Sequence, residues 1–371
     1  MGIFQNKQIT LIFLILIISL SMLTNCKSYG AEEEIANFVF GDSNVDVGNN
    51  NYIVSLSKAN NVPYGIDYGG PTGRFTNGRT IVDILAQTLG KFGQSPPYLA
   101  PTTTGSVILK GVNYASGGSG ILNETGSSFV GRINFDAQLD YFANTKQDII
   151  TQIGEAATEE LMNKAFFSIV IGANDFLANY LVPDIIKGHL SMTPEAFIDT
   201  MVSKFRLQLT RLYNMGARKL LVTNVGEVGC IPYERNVNLC SGNQCAAYPN
   251  ELAQSYNVKL KSLFTELNNN LKGSKFVYGD AYSIFNEVIY HYQSYGFENV
   301  NSPCCSNNPW DKSRGLLLCN PSASVCNDRS KYAFWDPFHP TEAINMIVAK
   351  RLIDGNISYI SPINVRQLLN S

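Results

Sequence analysis

Four segments of the chain share one pattern: an apolar run, a polar break that contains glycine, and then a helix-like stretch. Apolar runs that alternate with helices are typical of a parallel sheet covered on both faces, so the pattern predicts an α/β fold. Such sheets bind ligands beyond the carboxyl ends of their strands, which is where the polar breaks fall. The four runs span residues 38–40, 166–171, 220–223 and 276–278.

Two of the intervening helices carry clear start and stop signals. Thr193 can cap the first helix, Pro194 suits its first turn, and apolar residues recur at helical spacing up to Gly216. A second stripe with the same spacing begins at Leu252 and stops before Gly273. We interpret both stripes as surfaces that face the core, without a functional role.

No internal repeat, low-complexity tract or long linker divides the chain, which predicts a single domain over residues 31–371. Length alone would have favoured two domains. Two regions break the repeating pattern: residues 60–101, rich in glycine, proline and tyrosine, and residues 301–328, which contain four cysteines. We expect both to be long ordered loops over the edge of the sheet. The cysteine region could hold the residues after it in place, or it could be only a structural staple.

Residues 9–23 are almost wholly apolar, follow Lys7 and precede small or polar residues up to Gly30. This arrangement predicts a secretory signal peptide over residues 1–30, cleaved after Gly30. A membrane anchor is the alternative, but an anchor needs about 18 or more apolar residues and positive charge on its far side. We therefore expect a secreted protein without an integral membrane segment after cleavage.

The composition fits a globular secreted protein. Charged residues make up 16% of the chain, below the roughly 25% of an average soluble protein, and hydrophobic residues make up 45%. Loss of the predicted signal peptide removes two lysines and no acids, so the formal net charge moves from −2 to −4. No basic patch remains to attract nucleic acid, and we expect no nucleic-acid partner.

Seven of the eight cysteines lie beyond the predicted signal peptide, which allows three disulfides and one free thiol. Zinc is the competing interpretation, but the chain has no CxxC pair and only three histidines, and the predicted compartment is oxidising. We expect disulfides, no metal and no cofactor, with the adjacent Cys304 and Cys305 bonded to separate partners. Asn123 and Asn356 begin glycosylation sequons and are predicted surface sites.

Ser43 stands in a Gly-Asp-Ser break after the first apolar run, which predicts a hydroxyl on a tight turn at a strand's carboxyl end. Serine becomes a strong nucleophile when a base takes its proton, and imidazole suits that task near neutral pH. His189 and His291 fit surface or packing roles. His339 instead follows Asp336 by three residues, in a loop where prolines oppose a helix. Such a loop can direct the carboxylate to one imidazole nitrogen and leave the other for Ser43, although a plain loop or helix cap is the alternative.

Acyl-transfer chemistry also needs hydrogen-bond donors for the oxyanion of the tetrahedral intermediate, each worth roughly 3 kcal/mol. The candidates are the backbone N–H of Ser43, a glycine N–H within the run 111–120, and the side-chain amide of Asn174. Asn174 follows the second apolar run, so it falls on the same rim of the predicted sheet as Ser43. Ordinary turns are the alternative interpretation of the glycine run and of Asn174.

Four blocks, in this order and spanning nearly the whole predicted mature chain, resemble the four blocks of the GDSL lipase/esterase family in the SGNH hydrolase superfamily. The resemblance implies a three-layer α/β/α, flavodoxin-like fold and a carboxylic ester hydrolase. The blocks are Gly41-Asp42-Ser43-Asn44, Gly111-Val112-Asn113-Tyr114-Ala115-Ser116-Gly117-Gly118, Ile171-Gly172-Ala173-Asn174-Asp175 and Asp336-Pro337-Phe338-His339-Pro340-Thr341. The implied roles are Ser43 as nucleophile and oxyanion donor, Gly118 and Asn174 as the other oxyanion donors, His339 as base and Asp336 as its orienting acid.

Further motifs at residues 45–50, 63–67, 71–79 and 229–232 are similar to the plant-type branch of that family. This resemblance implies the cell wall or apoplast as the destination, with the vacuole as the alternative. Departures are modest and remove no implied catalytic group: Asn44 stands where leucine is usual, Val62 replaces a frequent proline, and Ser306 replaces a common glycine. Cys240 is additional to the usual cysteine set, so we expect it to be the unpaired thiol.

The function predicted from the sequence is hydrolysis of a small-molecule or polymeric ester through an acyl-serine intermediate. An acyltransferase that uses the same five residues with a hydroxyl acceptor is the main alternative. An α/β-hydrolase would need a GxSxG motif, which the chain lacks, and a non-catalytic binding protein would be expected to have lost a catalytic group. Composition does not distinguish short acetyl esters from lipids, cutin monomers or decorated polysaccharides, and it implies no oligomeric state.

Overall fold

A computed structural model describes residues 34–182, 192–307 and 318–371. Residues Ile35–Ser371 form one compact unit. The predicted signal peptide over residues 1–30 and the predicted surface position of His189 lie outside the described residues.

The central sheet is formed by four parallel strands and a short antiparallel edge strand. The parallel strands are β1 (Asn37–Gly41), β2 (Phe166–Val170), β3 (Lys219–Thr223) and β4 (Lys275–Gly279), which lie side by side in chain order. The short strand Ile360–Ser361 pairs with β4. The apolar runs predicted from the sequence fall on these four parallel strands, which confirms the α/β fold class.

The glycine-rich block lies along the outer edge of β1. Residues 112–116 run beside β1: the N–H of Val39 donates to the carbonyl of Val112, and the N–H of Tyr114 donates back to the carbonyl of Val39. With this segment counted as a strand, the spatial order is the 2-1-3-4-5 order of flavodoxin-like sheets. The arrangement brings the end of the glycine block to the rim where β1 ends.

Helices cover both faces of the sheet, and each face has its own apolar core. Adjacent residues of β2 divide between the two cores, because Phe167 packs on one face and Phe166 on the other. This packing confirms the three-layer α/β/α architecture. The first face is covered by Phe135–Ile153, Pro194–Asn214 and Ala247–Asn270, and the second by Ile81–Leu89, Ala281–Tyr290, Glu342–Asp354 and Val365–Leu369. Shorter helices span Glu155–Lys164, Ala173–Asp175, Phe176–Tyr180 and Pro232–Val237.

The two helices that the sequence predicted are present. A third helix lies within residues 60–101, where the sequence predicted only a loop. Thr193 caps the helix Pro194–Asn214 by accepting a hydrogen bond from a backbone N–H of its first turn. The loop prediction was wrong for Ile81–Leu89, which is helical. A capping box explains the difference: the Thr80 hydroxyl accepts from the Asp83 N–H, and the Asp83 carboxylate accepts from the Thr80 N–H.

The described parts of the cysteine-rich region, residues 301–307 and 318–328, form a small disulfide-linked layer. Cys304 and Cys305 bond to separate partners, as predicted, and Cys240 has no disulfide partner among the described cysteines, which also confirms the prediction. Within this region, Cys305–Ser306 pairs with Ser324–Val325, and the neighbouring strand Asn299–Pro303 pairs with Tyr332–Phe334 just before the Asp336 loop. The disulfides are Cys230–Cys245, Cys304–Cys326 and Cys305–Cys319.

Candidate active site

Ser43 lies in a tight turn directly after β1, at the carboxyl end of the sheet. A side chain at Gly41 would place its Cβ atom 2.2 Å from the Val170 carbonyl oxygen, so only glycine allows the chain to leave the strand in this way. Asp42 closes the turn by accepting hydrogen bonds of 2.9 Å from the backbone and side-chain amides of Asn44. Burial raises the pKa of Asp42 to about 6, although these hydrogen bonds act in the opposite direction.

The structure brings together the serine, histidine and aspartate that the sequence singled out. Ser43 Oγ lies 2.7 Å from His339 Nε2, and His339 Nδ1 lies 2.7 and 2.8 Å from the two carboxylate oxygens of Asp336. Ser43 and His339 keep only 7% and 6% of their surface exposed, and Asp336 is fully buried. This arrangement can move a proton from the hydroxyl to the imidazole while the carboxylate stabilises the resulting positive charge.

The loop that carries Asp336 and His339 is a closed turn held by its own backbone. The N–H of Trp335 donates to the His339 carbonyl at 2.8 Å. Asp336 Oδ1 accepts from the backbone N–H groups of Phe338 and His339, at 2.8 and 2.9 Å. The Phe75 ring packs against the imidazole, with ring centroids 5.0 Å apart. These contacts leave the imidazole little freedom to rotate away from Ser43.

Gly118 and Asn174, the other two predicted oxyanion donors, line the same cavity as Ser43 and His339. Asn174 lies in the helical turn Ala173–Asp175, four residues beyond Val170, the last residue of β2, and its amide nitrogen donates to the Ser119 carbonyl at 3.0 Å. Gly118 has a φ of 84°, which glycine adopts at little cost. All five residues with predicted roles therefore contribute to one site.

Two buried acids that sequence reasoning did not assign to the site hold the loop that carries Gly118. Asp46 accepts from the N–H of Gly117 at 3.0 Å, and Asp175 accepts from the N–H groups of Ile121 and Leu122 at 2.8 and 2.9 Å. Burial raises the pKa of both carboxyl groups to about 6, although their hydrogen bonds lower it. The only sequence signal for these two roles was position, since Asp46 follows the Ser43 motif closely and Asp175 follows Asn174 directly.

Tyr64 is a further unpredicted neighbour of the site. Its hydroxyl donates a hydrogen bond of 2.6 Å to Asp336 Oδ2, across 272 residues of sequence. The residue belongs to the region 60–101, which the sequence predicted only as an ordered loop. Its position in a plant-type motif was the only hint that sequence offered.

Residues 38–352 match the GDSL-like lipase/acylhydrolase family. The chain belongs to the GDSL lipase/acylhydrolase family. It is 59% identical over 362 residues to GDSL esterase/lipase At4g16230 of Arabidopsis thaliana, with 97% of this chain and 98% of the relative covered. It is 48% identical over 340 residues to GDSL esterase/lipase At3g50400 of the same plant, with 90% of each chain covered. Family membership makes this protein a carboxylic ester hydrolase, as predicted.

The cavity beside Ser43 in this GDSL hydrolase has a volume of about 360 Å³ and a mostly apolar lining. Cavities of this size and character are typical of small-molecule sites. Helices and loops from both faces of the sheet contribute to its wall. Apolar lining residues include Ile171, Leu177, Val225, Val228, Phe285 and Phe338.

The remaining candidates from the sequence lie apart from this cavity or on the surface. His291 follows the helix Ala281–Tyr290 and does not line the cavity. Asn123 and Asn356, the sequon residues, are both exposed. Over residues 34–182, 192–307 and 318–371, no group of histidine, cysteine or acidic side chains could hold a metal ion. Over the same ranges, no helix combines the length and apolar character needed to cross a membrane.

Proposed function

We propose that this GDSL hydrolase is a secreted serine esterase that works through an acyl-serine intermediate. One observation carries the proposal: a continuous hydrogen-bonded series from Ser43 through His339 to Asp336 borders a cavity that Gly118 and Asn174 also line. Nucleophile, base, orienting acid and oxyanion donors are the parts that acyl transfer requires.

In the first half of the proposed reaction, His339 Nε2 takes the proton of Ser43 as Oγ attacks the ester carbonyl carbon. The carbonyl oxygen becomes an oxyanion, which accepts hydrogen bonds from the backbone N–H groups of Ser43 and Gly118 and from the Asn174 amide. When the tetrahedral intermediate collapses, the alcohol leaves with the proton from His339 and the acyl group stays on Ser43. Asp336 stabilises the imidazolium that forms between these steps.

In the second half, a water molecule attacks the acyl-serine carbonyl carbon while His339 takes its proton. The same donors stabilise the second oxyanion, and its collapse releases the carboxylic acid and returns the proton to Ser43. A hydroxyl acceptor in place of water would yield a new ester by the same steps, which is the acyltransferase alternative.

Two observations support the proposal that the protein is secreted: the apolar segment at residues 9–23 and the disulfides. Residues 1–30 are the proposed signal peptide, and residues 31–371 the proposed single mature domain. Three disulfides suit an oxidising compartment such as the cell wall or apoplast. The exposed Asn123 and Asn356 are proposed N-glycosylation sites.

Partitioning between water and an added alcohol tests the acyl-serine intermediate. Two butyrate esters with different alcohols, one of them p-nitrophenyl butyrate, are hydrolysed in the presence of methanol. Because both esters would form the same butyryl-serine, we expect the same ratio of methyl butyrate to butyric acid from each. Ratios that depend on the starting ester would contradict a common intermediate. Ester product with almost no acid at low alcohol concentration would identify an acyltransferase.

The apolar cavity leads us to expect that kcat/KM rises with acyl chain length from acetate until the cavity is filled. Each further buried methylene contributes about 0.8 kcal/mol, which corresponds to about a fourfold rise per methylene. A series of p-nitrophenyl esters measures this dependence. The companion variant Phe285→Ala enlarges the cavity and should move the optimum to longer chains. An optimum at acetate in both proteins would show that the cavity does not receive the acyl group.

A further inference from the structure

We infer that Tyr64 is a positioning residue for the acid–base pair: its hydroxyl orients the Asp336 carboxylate and disperses the negative charge that faces His339. The inference rests on the proposed function, since it concerns how the proposed base is tuned. Tyr64 does not touch the ester itself and acts only through Asp336.

The Tyr64 side chain is held in one place by the residues around it. Its ring is fully buried, with Phe75 and Trp335 packed edge to face at centroid distances of 6.2 and 6.1 Å. The same apolar cluster includes Cys304, Cys305 and Cys319, so the disulfide-linked layer backs the tyrosine. The cluster joins residues from the regions 60–101 and 301–328, and it holds the Tyr64 phenol against Asp336.

The hydrogen-bonding of Asp336 makes Tyr64 a specific partner of one carboxylate oxygen. His339 Nδ1 lies close to both oxygens, 2.8 Å from Oδ1 and 2.7 Å from Oδ2. Oδ1 also accepts from two backbone N–H groups of its own loop, whereas Oδ2 accepts from the Tyr64 hydroxyl at 2.6 Å. Burial, together with the nearby Asp336 charge, raises the pKa of Tyr64 well above its usual value, so the phenol stays protonated and remains a donor. Because Asp336 is fully buried, solvent does not stabilise Oδ2 in place of the phenol.

Loss of the phenol donor should change the balance between neutral imidazole and imidazolium in one direction. Oδ2 would carry more negative charge toward the imidazole, which favours the imidazolium over the neutral ring. The titratable groups that face the imidazole are Asp336 from its own loop and Asp42 from the turn after β1, with Tyr64 acting through Asp336. Asp42 is present in both wild type and variant, so a difference between their pH profiles reports on Tyr64.

The substitution Tyr64→Phe removes the donor and keeps the ring. We expect kcat for a soluble p-nitrophenyl ester at neutral pH to fall about tenfold with KM changed less than about twofold. The acid limb of the kcat/KM profile should move up by roughly half to one pH unit. In an Asp336→Asn background, Tyr64→Phe should cause no further displacement of the profile, because the charge through which Tyr64 acts is gone.

The matched control is Tyr256→Phe, since Tyr256 is also fully buried and its hydroxyl has no hydrogen-bond partner among the described residues. It should keep the wild-type pH profile, and thermal unfolding of each variant reports the change in stability separately. If the pH profile of Tyr64→Phe coincides with that of wild type, or if Tyr256→Phe shows the same fall in kcat, Tyr64 serves only in packing.

Labelling by a fluorophosphonate separates failure of this inference from failure of the proposed function. If wild type is labelled at Ser43 and the Tyr64→Phe variant is labelled with the same pH midpoint, only the proposed role of Tyr64 is contradicted. Wild type that is neither labelled at Ser43 nor active on esters contradicts the proposed function itself. Labelling of both, with the midpoint higher in Tyr64→Phe, supports both proposals.

Discussion

Replacing Ser43 with alanine is expected to lower kcat for ester hydrolysis by about 10 000-fold or more. The substitution removes the only atom that forms the proposed covalent bond to the acyl group, and His339 Nε2 loses the hydroxyl that lies 2.7 Å away. The backbone N–H of residue 43, the Gly118 N–H and the Asn174 amide would remain, so a small residual rate from oxyanion stabilisation should persist. KM should change little, since the cavity wall is intact.

Ser168→Ala is the matched control for this variant. Ser168 lies in β2, pairs with Val39 of β1 in the sheet register, and is almost completely buried. Its hydroxyl has no hydrogen-bond partner within the described residues, and it does not line the cavity. Both variants should unfold at temperatures close to wild type, whereas only Ser43→Ala should lose turnover and fluorophosphonate labelling. Undiminished activity in Ser43→Ala would remove Ser43 from the mechanism.

The sheet and the rim that carries the site could be predicted because both follow from local patterns. A parallel strand buried on both faces appears in the sequence as a continuous apolar run, and a polar break after such a run lies at the carboxyl edge. That reasoning placed Ser43 and Asn174 on one rim. Asp336 and His339 are three residues apart, so their contact was also a local inference.

The supporting contacts could not be predicted in the same way, because they join residues that are far apart in sequence. Tyr64 and Asp336 are separated by 272 residues, and Asp46 and Gly117 by 71. No periodicity or spacing rule relates such positions; only the folded path of the region 60–101 brings Tyr64 to its partner. The missed helix Ile81–Leu89 is different, since Thr80 and Asp83 form a capping box that is visible in the sequence.

The proposed site therefore has two halves that are positioned by separate sets of buried contacts. Asp46 and Asp175 hold the backbone on both sides of Gly118, in the proposed oxyanion half. Tyr64 and the backbone of the 336–339 loop hold Asp336, in the proposed acid–base half. Because the two sets of contacts involve different residues, variants in each half should have different kinetic signatures.

Asn174→Ala is expected to show the signature of the oxyanion half, a 100- to 1000-fold fall in kcat with little change in KM. The Asn174 amide carries two N–H donors, and the one that binds the Ser119 carbonyl at 3.0 Å fixes the orientation of the group. We expect the second donor to bind the oxyanion, which exists only after Ser43 has attacked. A donor used only in the transition state affects kcat rather than ground-state binding.

Two comparisons make this expectation specific. Asn174→Asp keeps the shape of the side chain without its N–H groups and should be impaired at least as strongly. Asn268→Ala removes an asparagine that also donates to a backbone carbonyl, that of Phe276 at 2.9 Å near the start of β4, and should retain wild-type kcat. A boronic acid that forms a tetrahedral adduct with Ser43 should bind Asn174→Ala more weakly by a factor similar to the loss in kcat. If the loss appears only in KM and boronate affinity is unchanged, Asn174 contributes to substrate binding and the oxyanion is stabilised by backbone N–H groups alone.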